Sequence, residues 1–483
     1  MDLVSGFPKN LAYTLKQLSN FTKQTVKVIP DRTTVNFGEV SRFKLPASAL
    51  IDFRTIAIFA DITLPVVSTS TPSFTAHLPR NTGSLIQQIT ITCNGVQLCN
   101  INDYNLLFNT LYDLEGADIS QGSKRLLECY DPSTYFYAGT AANGTANTAI
   151  GAVNAQDGSS ASSTETARPI VINNFLGFLG SLSTPVLDLN DTGDIYIDIR
   201  WASSTVLWGS TNATTLPTFS TPSNASCQFA NLRMTCSKIN FESSEYYTLK
   251  EEKLIGDGLL VGFYDYWTSR GTTVVKSAGV NMNFNVTTNS LDQIIATFQQ
   301  SDYQTLKPLV LKSSNVTTMA NLITYNKYLA DPLTNSTTTA GIGDGFNQSY
   351  YFMRPGTDLL TSQFSINSVN IDPYPLPPSE IWNQNLIALG MNNIDMGTSG
   401  VHPGCLSLYH FLKYYFCHIL SLENISGDGQ FWRSGLSGNG STININYAAT
   451  FNALNNTDQV SPVLFCRSTK VLSIKAGHIV SVV

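Results

Sequence analysis

Histidine and cysteine, the residue types that most often bind zinc together, gather in the segment HPGCLSLYHFLKYYFCH. Its candidate ligands are His402, Cys405, His410, Cys417 and His418. Structural zinc sites typically use pairs of ligands at a repeated short spacing, and this segment has no such pairs. Cys417 and His418 are adjacent, so on a strand they would point to opposite faces. We therefore predict that these side chains pack in the interior and bind no metal.

A second segment, DLNDTGDIYIDI, begins like a calcium-binding loop. Asp188, Asn190 and Gly193 stand near the positions where such a loop has oxygen ligands and its glycine. A bidentate glutamate must close that loop, but this chain has Ile199 in its place. The segment therefore predicts a turn that leads into a strand, rather than a calcium site.

The remaining candidates for chemistry are glycine-rich stretches and Asn-x-Ser/Thr sequences. Residues 341–346 (GIGDGF) and 437–441 (SGNGS) lack the spacing of a phosphate-binding loop, and no histidine has a recognisable catalytic context. We predict no catalytic residue, no cofactor-binding residue and no enzyme activity. Asn-x-Ser/Thr sequences begin, for example, at Asn212, Asn285, Asn335 and Asn439. We predict that they are unmodified, because the sequence shows no signal peptide.

The composition is poor in charge. Charged residues make up 13% of the chain and the net charge is −6, while the hydrophobic share of 42% is near the usual value. The absence of any Lys/Arg run argues against a nucleic-acid groove. No apolar stretch reaches the roughly 18 residues of a membrane span, so we predict a soluble protein made in the cytosol or nucleus. The eight cysteines form no CxxC motif, and we predict that all are reduced and mostly buried: Cys93, Cys99, Cys129, Cys227, Cys236, Cys405, Cys417 and Cys466.

Residues 89–116 (ITITCNGVQLCNINDYNLLFNTLYDLEG) predict a β-hairpin that leads directly into a helix. Asn94-Gly95 favours a type I′ turn, because both residues readily adopt positive φ. The cross-strand neighbours that this turn predicts are Cys93 with Val96, Ile91 with Leu98, and Thr90 with Cys99. A helix follows, with Asn102 or Asp103 as its N-cap and Gly116 at its end.

Other segments of the first half indicate the elements around this hairpin. Residues 10–25 have leucines and a phenylalanine at helical spacing and predict an amphipathic N-terminal helix, which we expect to pack against protein. Residues 54–65 and 194–201 alternate between apolar and polar side chains, which is typical of half-buried antiparallel strands. Residues 138–167 have almost no charge or apolar bulk and predict a long exposed loop.

The second half repeats this plan. Residues 363–390 again read as strand, turn, strand and helix, with Ser379 as the candidate N-cap. Residues 436–449 parallel 189–202, since a glycine-containing turn leads into an alternating strand in both. The long polar insertion now lies at residues 313–349. The sequence therefore predicts an all-β protein with short helices and two tandem β-sandwiches. An N-terminal helical arm (1–25) precedes a first sandwich (26–248) and a second sandwich (249–483). The two sandwiches are joined near residues 243–254.

Four stretches carry a resemblance to a known family. They are residues 103–114 (DYNLLFNTLYDL), 173–202 (NNFLGFLGSLSTPVLDLNDTGDIYIDIRWA), 369–382 (VNIDPYPLPPSEIW) and 434–447 (SGLSGNGSTININY). With the repeated plan, the chain from about residue 26 to 483 resembles the double jelly-roll major capsid proteins of tailless icosahedral DNA viruses. The nearest branch is that of polinton-like viruses and virophages, with large algal viruses as relatives.

The resemblance implies a structural role in a virion. In that family two jelly rolls stand side by side and perpendicular to the shell, and homotrimers of nearly hexagonal outline tile the icosahedron. It implies penton and minor capsid proteins as partners, an internal membrane as a further candidate, and assembly in the host cytoplasm or nucleus. The long loops are expected on the capsid exterior.

Two other functions remain open from the residues alone. The first is a carbohydrate-binding or glycan-cleaving β-sandwich protein, such as a viral fibre or lectin. Glycan-cleaving enzymes usually place paired carboxylates in an aromatic cleft, whereas acids here are sparse and are expected mainly in turns or on outward strand faces. The second is a cellular shell or surface-layer protein, which the lack of an export signal disfavours.

Overall fold

A computed structural model describes most of the chain outside its long polar loops. The described residues are 21–47, 49–64, 66–67, 74–79, 81–115, 168–211, 223–241, 244–256, 258–304, 308–310, 349–389, 408–423, 435–438, 440–452, 458–475 and 479–482. The predicted loops at 138–167 and most of 313–349 therefore lie outside this part of the chain.

Thirteen strands come from the first half of the described chain. They are β1 (Phe21–Val28), β2 (Val35–Asn36), β3 (Val40–Lys44), β4 (Leu50–Thr63), β5 (Val66–Val67), β6 (Phe74–His77), β7 (Ile86–Cys93), β8 (Val96–Asn102), β9 (Arg168–Ile172), β10 (Val186–Asp188), β11 (Ile195–Trp201), β12 (Trp208–Thr211) and β13 (Gln228–Phe241).

Eleven strands follow in the second half of the described chain. They are β14 (Leu259–Arg270), β15 (Val274–Val275), β16 (Val280–Val286), β17 (Leu291–Gln300), β18 (Pro308–Val310), β19 (Leu359–Ile366), β20 (Val369–Asn370), β21 (Cys417–Ser421), β22 (Ile443–Phe451), β23 (Gln459–Lys475) and β24 (Ile479–Val482). The described α-helices are α1 (Tyr104–Glu115), α2 (Phe178–Ser181), α3 (Leu189–Thr192), α4 (Ser244–Ile255), α5 (Pro378–Ala388) and α6 (Leu408–Tyr414).

The sheets confirm the predicted repeat. Sheet A has the order β1-β13-β4-β10, and sheet B the order β3-β11-β7-β8. Sheet D (β14-β23-β17-β21) and sheet E (β16-β22-β19-β20) reproduce these two orders with the corresponding strands of the second half. Each pair of sheets is one jelly roll, and the predicted all-β double sandwich with short helices is confirmed. A smaller sheet C (β18-β12-β6-β5) takes strands from both halves.

Alternating side chains fill each sandwich as the sequence predicted. Strand β4 buries every second residue from Ile56 to Ile62, and β11 and β22 alternate in the same way. Between sheets A and B, the Trp201 ring stacks on Phe229 at 4.2 Å, and its indole N–H donates to Ser41 Oγ. Between sheets D and E, Phe298 lies 5.5 Å from Phe451. Apolar burial between facing sheets therefore stabilises both halves.

The predicted hairpin forms, but its register differs by one residue. Asn94 and Gly95 have φ values of 47° and 79°, as a type I′ turn requires, and Cys93 pairs with Val96. Ile91 pairs with Cys99, so the predicted pairs of Ile91 with Leu98 and Thr90 with Cys99 are wrong. A shift between Ile91 and Thr92 causes the difference. In a regular strand with one exposed face, consecutive side chains alternate between buried and exposed. The register shift interrupts this alternation, so Leu98 and Cys99 are both buried.

Two predicted helix features are also wrong. Residues 21–25 begin strand β1, which pairs antiparallel with β13 from Phe21 to Val28, so the N-terminal helix does not extend to residue 25. Thr22, Thr25 and Val26 are β-branched and favour the strand. The rest of the predicted helix lies outside the described residues. Helix α5 is capped by Pro377 and not by Ser379, because proline already stands at its first position.

The long connections leave both sandwiches at one end. In the first sandwich, Trp201 pairs with Ile86, and Thr63 pairs with Gln228, so the connections β4–β7, β8–β9 and β11–β13 start or finish at this end. In the second sandwich, Leu359 pairs with Phe451, which places the connections β17–β19 and β22–β23 together. We call this the loop-rich end of each sandwich.

Candidate functional site

The histidine and cysteine segment does not assemble as a metal site in the described residues. Cys417 and His418 are buried in β21 with separate partners. The ring of His418 lies between Ser362 Oγ and Gln384 Oε1, whereas Cys417 contacts the amide of Asn385. His410 lies in α6, and His402 and Cys405 are outside the described residues. No group of three potential metal ligands occurs in the described ranges.

The calcium-like segment holds a cation that belongs to the chain itself. Asp188 caps α3 by accepting the amide N–H of Asn190, so the predicted turn is confirmed. The ammonium group of Lys250, from α4, lies 2.8 Å from a carboxylate oxygen of both Asp188 and Asp191. Hydrogen bonds from Lys250 and Asn190 lower the pKa of Asp188 against the opposing effect of its burial. Lys250 therefore offsets one of the two negative charges and ties α4 to the first sandwich.

The other sequence candidates are structural where they are described. Gly440 has a φ of 78°, and Ser441 N donates to Gly438 O, which are contacts typical of a turn. Asn285 lies on β16, where its side-chain oxygen accepts a hydrogen bond from Asn444. Residues 341–346, Asn212, Asn335 and Asn439 are outside the described residues. Six described cysteines are free and buried, and burial raises their thiol pKa values, as with Cys93, to about 11.

A polar site that the sequence did not indicate is the seam where the first sandwich meets β14 of the second. Thr268 Oγ1 donates to Asn102 O at 2.8 Å, where β8 ends. Beside it, Arg270 makes a two-pronged ion pair with Asp103, with N–O distances of 2.7 and 3.0 Å. Asp103 has a φ of 48° and opens α1, so one residue ends the hairpin and binds the other sandwich.

A short segment around α2 covers the free edge of β14. Ser181 Oγ accepts the amide N–H of Tyr264, and Ser183 Oγ accepts that of Gly262. Ser183 also donates its own N–H to Gly262 O at 2.9 Å. These bonds satisfy edge amides that would otherwise be open to pairing with another chain. They also fix the two sandwiches along the strand direction.

Gly177 lets this segment approach closely. Its φ is 71°, and a Cβ there would lie 2.5 Å from Ile101 Cδ1. The next residue, Phe178, inserts its ring between Phe53 of the first sandwich and Phe263 of the second, at 5.7 and 5.1 Å. The seam therefore has an apolar centre as well as polar contacts.

Helix α1 is enclosed by the seam. Every residue from Tyr104 to Leu114 is buried. Near its end, a carboxylate oxygen of Asp113 lies 2.6 Å from the guanidinium of Arg354, and both side chains are fully buried. The backbone of Arg354 is bonded to Tyr414 and Phe416, which places it firmly in the second sandwich. Sequence reasoning missed both ion pairs of the seam, since their partners are far apart in the chain.

The contacts align the loop-rich ends of the two sandwiches. Asn102 and Asp103 lie at the loop-rich end of the first sandwich, and Thr268 and Arg270 at that of the second. Strand β12 of the first sandwich pairs in parallel with β18 of the second in sheet C, at the same end. The sandwiches therefore stand side by side in the same orientation.

Three solved viral structures share this architecture. PBCV-1 VP54, fitted into a cryo-EM reconstruction of the virophage Sputnik, is 11% identical, with a TM-score of 0.55 over 96% of each chain. The PBCV-1 virus capsid matches with 11% identity and a TM-score of 0.52 over 96% of each chain. The Sputnik virophage structure is 13% identical, with a TM-score of 0.51 over 95% of this chain and 88% of that one. This chain has the fold of those viral structures.

Fold similarity at this low identity comes from arrangement rather than from shared sequence motifs. No protein-family model matches the sequence, and no curated protein matches it either. The double jelly roll offers edges, faces and loops for contact with other chains. None of the helices in the described ranges has the length and apolar character that a transmembrane helix requires.

Proposed function

We propose that this chain is a major capsid protein that forms pseudo-hexameric homotrimers, which tile an icosahedral viral shell. The observation that carries the proposal is the pair of jelly rolls held side by side, with aligned loop-rich ends, by a buried seam. Three copies of a two-sandwich chain supply six similar units to a ring, so true threefold symmetry gives a nearly hexagonal outline. The likeness to the PBCV-1 capsid and Sputnik structures supports this assignment.

The finer features of the proposal follow from this role. The chain divides into the units 26–248 and 249–483, with α4 across the boundary and the residues before 26 as an arm. It acts without catalytic residues or a cofactor, in the virion, after assembly in the host cytoplasm or nucleus. Its partners are further copies of itself, penton and minor capsid proteins, and an internal membrane as a candidate surface beneath the shell.

The mass of the purified chain tests the trimer. We expect native mass spectrometry to give a species of three chains of 52.7 kDa each, and electron microscopy to show a hexagonal outline. Chelators should leave this species unchanged, because the proposed contacts are made by side chains alone. A chain that remains monomeric at high concentration would contradict the proposal.

We further propose that the loop-rich end faces the capsid exterior. The connections that contain residues 138–167 and 313–349 depart from this end, and long polar loops are best accommodated in solvent. Limited proteolysis of intact particles, followed by peptide mapping, is expected to cut first within these two ranges. Cleavage that required disruption of the shell would contradict this orientation.

A further inference from the structure

The first sandwich buries one of its edges, the hairpin β7–β8 and helix α1, in the seam. The second sandwich has an equivalent edge, which is exposed. Helices α1 and α5 both follow the second strand of an equivalent hairpin, β7–β8 and β19–β20. Helix α1 is buried from Tyr104 to Leu114, whereas α5 buries only Ile381 and Asn385 fully. Ile387, in the last turn of α5, is 53% exposed. A helix with apolar residues on several sides normally has protein on several sides.

The residues before α5 extend this open edge. Val369, Ile371 and Tyr374 are all exposed, and Val369 reaches 65%. Pro373, Pro375 and Pro377 alternate along the same stretch and remove backbone N–H donors, so a strand cannot readily be added here. Contacts at this edge must therefore be made by side chains. The seam has the same property, since no ladder joins β8 to β14.

The complementary edge is open on the first sandwich. Strand β1 is the counterpart of β14 and the outermost strand of sheet A. From β1 to β13, Ile29 and Val40 are the exposed large apolar side chains among the described residues. Ile29 directly follows β1, and Val40 begins β3, the outermost strand of sheet B. Ile29 is 61% exposed.

The charges of the two open edges are complementary in the same sense as in the seam. Within the chain, the hairpin side supplies the acid Asp103 and the β14 side supplies the base Arg270. At the open edges, the hairpin side carries Asp372 and Glu380, and the β1 side carries the exposed Lys27 and Arg32 against one exposed acid, Asp31. Desolvation, together with the nearby Glu380, raises the pKa of Asp372, so a neighbouring cation would stabilise its charged form.

We infer that the edge formed by Val369, Ile371, Tyr374 and Ile387 docks on the edge formed by Lys27, Ile29 and Val40 of a second copy. The contact repeats between chains the arrangement that joins the two sandwiches within a chain. It is heterologous, so each copy uses one edge toward each neighbour, and successive copies can close a ring. The inference rests on the proposed trimer and names the residues that hold it together.

Substitution of Ile387 tests the contact against a closely matched control. Ile387→Asp places a charge in the proposed interface, and we expect the trimer to dissociate at a concentration at least tenfold higher in sedimentation equilibrium. Ile255→Asp is the control, because Ile255 also ends a helix and is 78% exposed but belongs to neither proposed edge. It should change dissociation by less than twofold. Both variants should keep the unfolding midpoint of the dissociated wild-type chain.

Mixing two variants tests whether the contact is heterologous. Ile29→Asp damages the opposite edge, so it should weaken the trimer as Ile387→Asp does. In a mixture, Ile387 of the Ile29→Asp chain can still meet Ile29 of the Ile387→Asp chain, which leaves one intact contact. We expect a species of two chains, one of each variant, in native mass spectrometry. Variants that remain as trimeric as wild type would overturn this interface and leave the proposed trimer standing, whereas a monomeric wild-type chain would overturn the trimer itself.

Discussion

Replacing Arg354 with alanine is expected to destabilise the protein by about 3–5 kcal/mol, because it leaves the carboxylate of Asp113 buried without its ion-pair partner. Both side chains are fully buried, and the guanidinium lies 2.6 Å from the carboxylate. The measurement is the free energy of unfolding of the dissociated chain in denaturant. Since the pair joins the two sandwiches, we also expect the variant to lose cooperativity between them.

An exposed ion pair provides the control. Lys44 and Asp194 lie 2.6 Å apart, but their side chains are 49% and 40% exposed. Lys44→Ala should therefore change the unfolding free energy by about 0–1 kcal/mol. The double variant Asp113→Leu/Arg354→Met removes both buried charges and should recover much of the lost stability. If Arg354→Ala proved no worse than Lys44→Ala, the ion pair would not stabilise the seam.

Local patterns were sufficient to predict the sandwiches themselves. Alternation along β4, β11 and β22 identified strands and their buried faces, because a sheet with one face in the core imposes a period of two. Asn94-Gly95 identified the turn from its positive φ values. The similar order of elements in both halves predicted the repeated topology without significant identity between them.

Tertiary context decided the features that local patterns missed. Apolar spacing over residues 10–25 predicted a helix that ends at residue 25, but pairing with β13 satisfies the backbone of residues 21–25 as a strand. The bulge beside Thr92 leaves Leu98 and Cys99 both buried, and Cys99 lies close enough to Asp265 of the second sandwich for that acid to affect its thiol pKa. The apolar pattern of one strand indicates which side chains face its own sandwich. It does not indicate that the other sandwich also covers that strand.

The site was harder to predict than the fold for the same reason. Asp113 and Arg354 are 241 residues apart, and neither has a local pattern that indicates a partner. The segment of Asp188, Asn190 and Gly193 began like a calcium loop but lacked its closing glutamate, and the cation that Asp188 binds is the ammonium of Lys250. The type of an acidic residue indicates that a positive charge would stabilise it. Only the folded chain identifies which basic residue supplies that charge.

Lowering the pH from 7 to 5 is expected to destabilise the dissociated chain by about 2 kcal/mol through His418 alone. The imidazole is buried beside the rings of Phe364 and Tyr447, at 4.6 and 5.9 Å. In its neutral form, Nε2 donates to Gln384 Oε1 at 2.7 Å, and Nδ1 accepts from Ser362 Oγ at 2.8 Å. Burial lowers the pKa of His418 from 6.5 to about 3, because no counter-charge stabilises the imidazolium.

The direction of the effect follows from proton binding in the two states. Below pH 6.5 the unfolded chain binds a proton at His418 and the folded chain does not, so stability present above pH 6.5 is lost as the pH falls. The loss is about 1.4 kcal/mol per pH unit until the folded group titrates near pH 3. Unfolding free energies at pH 7, 6 and 5 should therefore decrease less steeply in His418→Gln, since glutamine can still bond Ser362 and has no charge to gain. Equal slopes in the two proteins would mean that folded His418 accepts a proton, with Ser362 or Gln384 rearranged around it.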